Sequence, residues 1–270
     1  MMNMTETVKQ LIIINVIFFV GSMFVPTAYD YLSLFYFESQ NFKVWQPLTS
    51  MFMHAPMPNF MHIFFNMFAL FSFGSALEHF WGGKKFLFFY ISCGLGAALL
   101  HTAVNYFEIQ ALLEKVSALN LNKDQIRVIL DMDYKALFDA NGKMLPGQIR
   151  TILENAHCTQ EQFNVLTEAA QVYQSTAVGA SGAIYGLLVA FAFMFPNAGL
   201  ALIFLPIPVK AKYFVPAILC LDLFLGLSGK SIFGTSTGIA HFAHLGGAIV
   251  GFVMMWYWKR NQFNNNRWDQ

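Results

Sequence analysis

Long apolar stretches separated by short polar segments dominate the hydropathy pattern of this chain. A helix needs roughly 20 apolar residues to cross about 30 Å of hydrocarbon. Stretches near that length predict membrane-spanning helices at residues 11–27, 59–77, 86–104, 181–195, 213–227 and 239–258. They lack the alternation of barrel strands, and backbone polar groups in lipid must be paired within the segment. The pattern therefore predicts an all-α membrane protein with six transmembrane helices.

The segment 105–176 breaks this pattern, because it carries six of the 16 basic and nine of the 15 acidic residues. We expect it to be a soluble helical insertion between helices 3 and 4. Thr159, followed three residues later by Gln162, is typical of a capping box at a helix start. The predicted organisation is a first membrane part (1–104), an insertion (105–178), a second membrane part (179–260) and a short disordered tail (261–270).

Basic residues in the short flanks are unevenly distributed between the two sides of the predicted bundle. One side carries Lys9, Lys84, Lys85, Lys210, Lys212, Lys259, Arg260 and Arg267, and the other carries Lys43 and Lys230. Because cytoplasmic loops are enriched in lysine and arginine, both termini are predicted to be cytoplasmic and the insertion to face outward.

Composition agrees with a membrane protein, since only 11% of residues are charged and 56% are hydrophobic, against about 25% charged in soluble domains. The net charge of +1 and the lack of a basic run exclude nucleic acid as an expected partner. The three cysteines form no CxxC pair, so neither a disulfide framework nor a zinc pattern is indicated. The first apolar stretch is read as a retained span, because no convincing cleavage site follows it.

Candidate chemistry begins at Ser181, which heads an apolar segment of 15 residues ending before Pro196. At 1.5 Å per residue this segment spans about 22 Å, too short to cross the membrane. Ser181 is then expected to lie below the outer interface. A water-filled cavity must reach it, because an unpaired polar group in hydrocarbon costs several kcal/mol.

A second polar side chain, His244, lies in the last predicted span. Glycines near both residues, Gly179 beside the serine and Gly247 and Gly251 after the histidine, allow close helix approach. We therefore predict a Ser181–His244 pair in which the imidazole takes the hydroxyl proton. Tyr185 lies one turn after Ser181, where its ring can support the imidazole.

Acyl transfer also needs hydrogen-bond donors for the developing oxyanion. His62 and Asn66 are spaced i to i+4 in the second predicted span, which places both on one helix face. Polar side chains at such positions are expected to point into the bundle. The backbone N–H of Ser181 is the third predicted donor.

These motifs together resemble the rhomboid family of intramembrane serine proteases. The matching residues are Gly179-Ala180-Ser181-Gly182, His62 with Asn66, and Ala243-His244 with Gly247 and Gly251. The resemblance implies a six-helix rhomboid-like bundle, with Ser181 as nucleophile and His244 as base. His62, Asn66 and the Ser181 amide are implied as oxyanion donors. It also implies peptide-bond hydrolysis in transmembrane protein substrates near the outer membrane face, without a cofactor.

The chain departs from the family pattern in two places. Gln46 follows Trp45 where many rhomboids carry an arginine, which affects the anchoring of the first loop. The insertion replaces a short connection. Restricting substrate access, recruiting an outside partner and having no role at all stay open for it. His54 resembles a family histidine that shapes the first loop.

Several interpretations stay open on the sequence alone. His241, one turn before His244, is predicted to line the cavity and not to bind a metal, because no HExxH motif or carboxylate ligand accompanies it. Asp222, in the fifth span, is either functional or a carboxylate facing the interface or a cavity. The alternative to an enzyme is a catalytically silent pseudoprotease that binds or escorts membrane clients. The expected location is the bacterial inner membrane.

Overall fold

The computed structural model describes residues 3–202, 205–228 and 239–262, which are predominantly helical. The helices are α1 (Glu6–Phe24), α2 (Ala28–Leu32), α3 (Gln46–Thr49), α4 (Phe60–Ala69), α5 (Ser75–Trp81), α6 (Gly83–Lys115), α7 (Lys123–Leu130), α8 (Gln148–Asn155), α9 (Gln160–Gln174), α10 (Ser181–Met194), α11 (Ala211–Ser228) and α12 (Ile239–Gln262). The strands are β1 (Gly199–Leu202) and β2 (Leu205–Lys210). Single 3₁₀ turns lie at Ser50–Phe52, Ser117–Leu119 and Tyr134–Ala136.

The chain divides into two compact units. The core unit comprises Met1–Leu34, Lys43–His101 and Ala177–Gln270, and the insertion unit comprises Phe35–Phe42 and Thr102–Thr176. A short stretch from the first loop therefore belongs to the same unit as the insertion.

Within the described residues, four helical segments are long and apolar enough to cross a membrane. They are Glu6–Phe24, Phe60–Trp81, Gly83–Lys115 and Ala211–Ser228. Ser181–Met194 is also apolar but shorter. Helices cover each of the six predicted stretches, while the count of six membrane crossings stays a prediction.

The first helix begins five residues earlier than predicted, and contacts from another helix explain its start. The carboxylate of Glu78 accepts hydrogen bonds from the backbone N–H groups of Thr7 and Val8, each at 2.9 Å, and from the Thr5 hydroxyl. The first N–H groups of a helix have no partner inside the helix. Glu78 supplies that partner from α5, so Glu6 to Gln10 form the first turns of α1.

The second long segment, Phe60–Trp81, is one continuous helix that contains a π-helical segment at Leu70–Gly74. Gly74 lies in tight contact at this point. A Cβ added there would lie 2.9 Å from Val8 and 3.2 Å from Phe86. The wider turn thus includes a position where α1 and α6 approach this helix closely.

The core unit is built around α10, most of whose residues are buried. Its side chains Ala183 and Leu187 belong to a cluster that includes Phe89 and Cys93 of α6 and Met255 of α12. Exposed aromatic and aliphatic side chains cover the outer faces of α1, α6, α11 and α12. Buried small residues within and large apolar residues outside are what a helical bundle in lipid requires.

The expectation of an all-α fold is wrong at β1 and β2, which pair as antiparallel strands in an otherwise helical structure. Gly199 pairs with Lys210 and Leu200 with Val209. Pro206 and Pro208 prevent this stretch from continuing as a helix, because proline lacks the required N–H. Each strand of a two-stranded sheet has an open edge, where proline is tolerated.

The insertion unit contains α7, α8 and α9 together with the C-terminal part of α6, which continues to Lys115, past the predicted end of the membrane span at residue 104. The predicted capping box of Thr159 with Gln162 is confirmed at the start of α9. A second one, which the sequence analysis missed, joins Asn122 with Gln125 at the start of α7.

Residues 35–42 are held in the insertion unit by aromatic packing. Tyr36 and Tyr173 are both 2% exposed, and their ring centroids lie 5.4 Å apart. The Tyr173 hydroxyl donates to the carbonyl of Glu38 at 2.8 Å. Burial raises the pKa of Tyr173 to about 12, so this hydroxyl keeps its proton. The predicted disordered tail (261–270), apart from its first two residues, and the segment around Lys230 lie outside the described residues.

Candidate active site

Ser181 is the first residue of α10 and follows a tight backbone turn. Gly179 has φ +123°, a conformation that L side chains rarely adopt. Its N–H donates to the carbonyl of Ser50 at 2.9 Å, which fixes the turn against the first loop. The turn leaves the Ser181 side chain half-buried at the helix start.

His244 on α12 reaches this serine directly, as the sequence analysis predicted. Its Nε2 lies 3.0 Å from Ser181 Oγ, within hydrogen-bond distance. The ring of Tyr185 stacks on the imidazole, with centroids 4.2 Å apart and an angle of 9° between the planes. The structure thus brings Ser181, Tyr185 and His244 together.

The close approach of α12 to α10 depends on glycine. A Cβ added at Gly247 would overlap the carbonyl oxygen of Gly182 and lie 2.6 Å from its carbonyl carbon. One turn further, a Cβ at Gly251 would lie 2.8 Å from the Cα of Gly186. At both positions the added Cβ would meet backbone atoms, which cannot move aside as a flexible side chain can. The two glycines therefore set the helix separation at which His244 meets Ser181.

His62 on α4 lies next to Gly179 in the turn before Ser181. Its Nδ1 accepts a hydrogen bond from the backbone N–H of Ala55 at 3.1 Å, so a neutral ring carries its hydrogen on Nε2. The position of the missing Cβ of Gly179 is 3.2 Å from His62 Nε2 and 3.7 Å from Ser181 Oγ. An N–H donor therefore borders the space beside the serine.

The structure gives Asn66 a different setting. The residue is buried on α4, and its Nδ2 donates to the carbonyl of His62 at 2.7 Å, one turn earlier in the same helix. This hydrogen bond joins Asn66 to its own helix and not to Ser181. The predicted oxyanion role of Asn66 stays a prediction.

The first loop supports His62 through His54. His54 is fully buried, its Nε2 lies 2.8 Å from Asn15 Oδ1, and its ring packs edge-on against His62 at 5.3 Å. Burial, helped by the neighbouring His62, lowers the pKa of His54 to about 3, so this imidazole stays neutral. Gln46, which stands where the family often has arginine, is also buried and accepts from the N–H of Lys43.

Asp222, whose role the sequence leaves open, lies beside His241 and His244 in the structure. It is 5% exposed on α11, and its Oδ1 lies 2.5 Å from His241 Nδ1 and 3.3 Å from His244 Nδ1. The sequence signal that pointed to Asp222 was an acidic residue within an apolar helix.

Among the described residues, Asp222, His241 and His244 form a group that could hold a divalent cation, since one potential ligand atom of each lies within 4.8 Å of the others. The expectation of no metal ligand set rested on the lack of a carboxylate near the two histidines. That reason is wrong, because Asp222 supplies one from another helix. Asp222 Oδ1 is, however, already within hydrogen-bond distance of Nδ1 of both histidines, and we interpret the group as a hydrogen-bond network.

The fold and site define a class of protein: an integral membrane helical bundle with a paired serine and histidine on two tightly packed helices. A family model described as the Rhomboid domain matches residues 41–109 and 158–261. The chain belongs to the rhomboid family, whose members act on transmembrane proteins as intramembrane proteases and which includes inactive relatives. Residues 110–157, most of the insertion, lie between the two matched segments. A search of curated proteins finds no match.

Proposed function

We propose that this protein is an intramembrane serine endopeptidase that hydrolyses peptide bonds of membrane-anchored substrates near the outer face of the membrane. The observation that carries the proposal is the 3.0 Å contact between Ser181 Oγ and His244 Nε2. The two residues lie on helices whose close approach depends on glycine. A serine hydroxyl becomes a nucleophile when an adjacent base can remove its proton.

The reaction follows from this geometry. Ser181 Oγ attacks the scissile carbonyl carbon while its proton passes to His244 Nε2. The carbonyl oxygen becomes an oxyanion, which the Ser181 N–H and His62 Nε2–H can receive on the side of Gly179. The C–N bond then breaks, and the imidazolium returns the proton to the leaving amine. Water, deprotonated by the same imidazole, hydrolyses the acyl-enzyme and regenerates the hydroxyl.

The chemistry is proposed to take place within the membrane thickness. The helix that begins at Ser181 has 14 residues, or about 21 Å, less than the roughly 30 Å of hydrocarbon. With six spans and both termini in the cytoplasm, the serine lies towards the outer side. A transmembrane substrate must unwind locally to present its carbonyl, because a helix in lipid keeps its own carbonyls paired. A bacterial inner membrane is the proposed location.

The test is labelling by a fluorophosphonate probe in detergent, combined with cleavage of a reporter that carries a transmembrane segment. We expect the wild-type protein to be labelled and to cleave the reporter, and Ser181→Ala to do neither. Ser228→Ala, on the exposed face of α11, is the matched control and should behave as wild type. A folded wild-type protein that is never labelled and never cleaves would instead support a pseudoprotease that binds clients.

A further inference from the structure

Asp222 contacts the histidine of the proposed Ser–His pair on the face away from the serine. The carboxylate comes from α11, whereas both histidines belong to α12. Its Oδ1 is 3.3 Å from His244 Nδ1, and His244 Nε2 is 3.0 Å from Ser181 Oγ. The three side chains form one continuous chain of contacts from a buried acid to the hydroxyl.

This arrangement selects one form of the imidazole. To accept the serine proton, Nε2 of His244 must carry no hydrogen, so the hydrogen of the neutral ring must be on Nδ1. A carboxylate only accepts hydrogen bonds, and the one at Nδ1 therefore favours that tautomer. A separation of 3.3 Å is long for such a bond, but contacts of this kind tighten when substrate is bound.

His241 also contacts the carboxylate of Asp222. Its Nδ1 is 2.5 Å from the same Oδ1, closer than His244, and its ring packs edge-on against His244 with centroids 6.2 Å apart. The phenol of Tyr185 on α10 also lies beside the carboxylate. Asp222 is thus surrounded by His241 and His244 from α12 and by Tyr185 from α10.

We propose that Asp222 is a positioning residue, which holds His244 in the tautomer that can accept the Ser181 proton and stabilises the imidazolium formed during attack, while His241 anchors the carboxylate. The proposal rests on the proposed function and extends its two-residue mechanism to a third residue. The competing explanation is that Asp222 only joins α11 to α12 by hydrogen bonds.

Kinetics of Asp222→Asn separate these explanations. The asparagine has nearly the same shape but carries no charge. We expect kcat to fall by roughly 10- to 100-fold with KM nearly unchanged, less than the factor of about 10⁴ known for the acid of a Ser–His–Asp triad, because the contact here is longer. Without the negative charge His244 becomes a weaker base, so the acid limb of the pH–rate profile should move to lower pH.

Cys220→Ser, an exposed neighbour on the same helix, is the control and should keep both the wild-type rate and the wild-type acid limb. An Asp222→Asn variant that is folded, has wild-type kcat and has an unmoved acid limb would overturn the proposal. A fall in rate with an unmoved acid limb would also overturn it, since that is the result of a purely structural role.

A second measurement does not depend on activity or on the folding of Asp222→Asn. Nitrogen-15 NMR of histidine-labelled wild-type protein in micelles, with His244→Gln used to assign the signal, reports which nitrogen of neutral His244 carries the hydrogen. We expect Nδ1. Finding it on Nε2 would overturn the proposal. If the probe and reporter show no enzyme but the hydrogen is on Nδ1, the proposed function fails while the placement of His244 by Asp222 stands.

Discussion

The imidazole of His244 lies flat against the ring of Tyr185, at 4.2 Å between centroids and 9° between planes. Tyr185 is one helical turn after Ser181, so one helix supplies both the nucleophile and the surface that fixes the base. The stack restrains rotation of the imidazole about its side-chain bonds. Nε2 therefore stays directed at the hydroxyl before substrate arrives.

Two substitutions of Tyr185 should separate the effect of ring stacking on activity from the effect of the phenol hydroxyl. Tyr185→Phe keeps a flat ring against His244, and we expect it to retain most of the activity. Tyr185→Ala removes the ring, and we expect kcat to fall by roughly tenfold, since small misplacements of a catalytic group are costly. Reporter cleavage at saturating substrate measures both. Equal activity of the two variants would show that stacking does not position the base.

Adding a methyl group at Gly247 should push α12 away from α10. The new Cβ would meet the backbone of Gly182, which cannot move aside as a flexible side chain does. Overpacking of this kind costs about 1–3 kcal/mol, and we expect Gly247→Ala to lower both the thermal midpoint and the cleavage rate. Gly21→Ala in α1 is the control, because a Cβ there meets nothing within 4 Å. An active, stable Gly247→Ala would contradict the tight packing.

Removing the His62 ring should lower the rate without affecting formation of the Ser–His pair. Loss of one oxyanion donor costs about 10²- to 10³-fold in kcat. We expect His62→Ala to show a fall of this order while KM changes little. Asn66→Ala provides the comparison: its amide donates within its own helix, so we expect a smaller effect. If Asn66→Ala instead gave the larger loss, the proposed assignment of donors would be wrong.

Activity should decline in acid, because His244 can accept the Ser181 proton only when neutral. The rate should be compared from about pH 5 to 8, because imidazoles in general change charge in this range. The measurement is the initial rate of reporter cleavage as a function of pH, with protein returned to neutral pH to confirm reversibility. A flat profile over this range would argue against His244 as the base.

Stability should also fall in acid, for a separate reason at His54. Its pKa is lowered to about 3 in the folded protein by burial, while in the unfolded chain it is about 6.5. Below about pH 6.5 the unfolded state therefore binds a proton that the folded state does not, so folding becomes less favourable as the pH falls towards 3. We expect the thermal midpoint of His54→Gln to depend less on pH than that of the wild type. Identical pH dependence of the two proteins would refute this assignment.

The sequence predicted those features that depend on local pattern. Ser181 was identifiable because a small-residue turn precedes a short apolar helix, and His244 because glycines follow it at helical spacing. The neighbours of Asp222 were not predictable. They depend on the rotation of α11 against α12, and no local period specifies that rotation. The early start of α1 likewise depends on Glu78, which lies about 70 residues away.

Phe35–Phe42 belongs to the same compact unit as Thr102–Thr176, although Lys43–His101 of the core unit separates them in the chain. Cutting out the second stretch alone would leave Tyr36 without the aromatic partner that covers it. A chimera that exchanges this module with that of a relative must therefore transplant both pieces at once. We therefore expect a substitution in one stretch to be tolerated only where the other stretch still fits it.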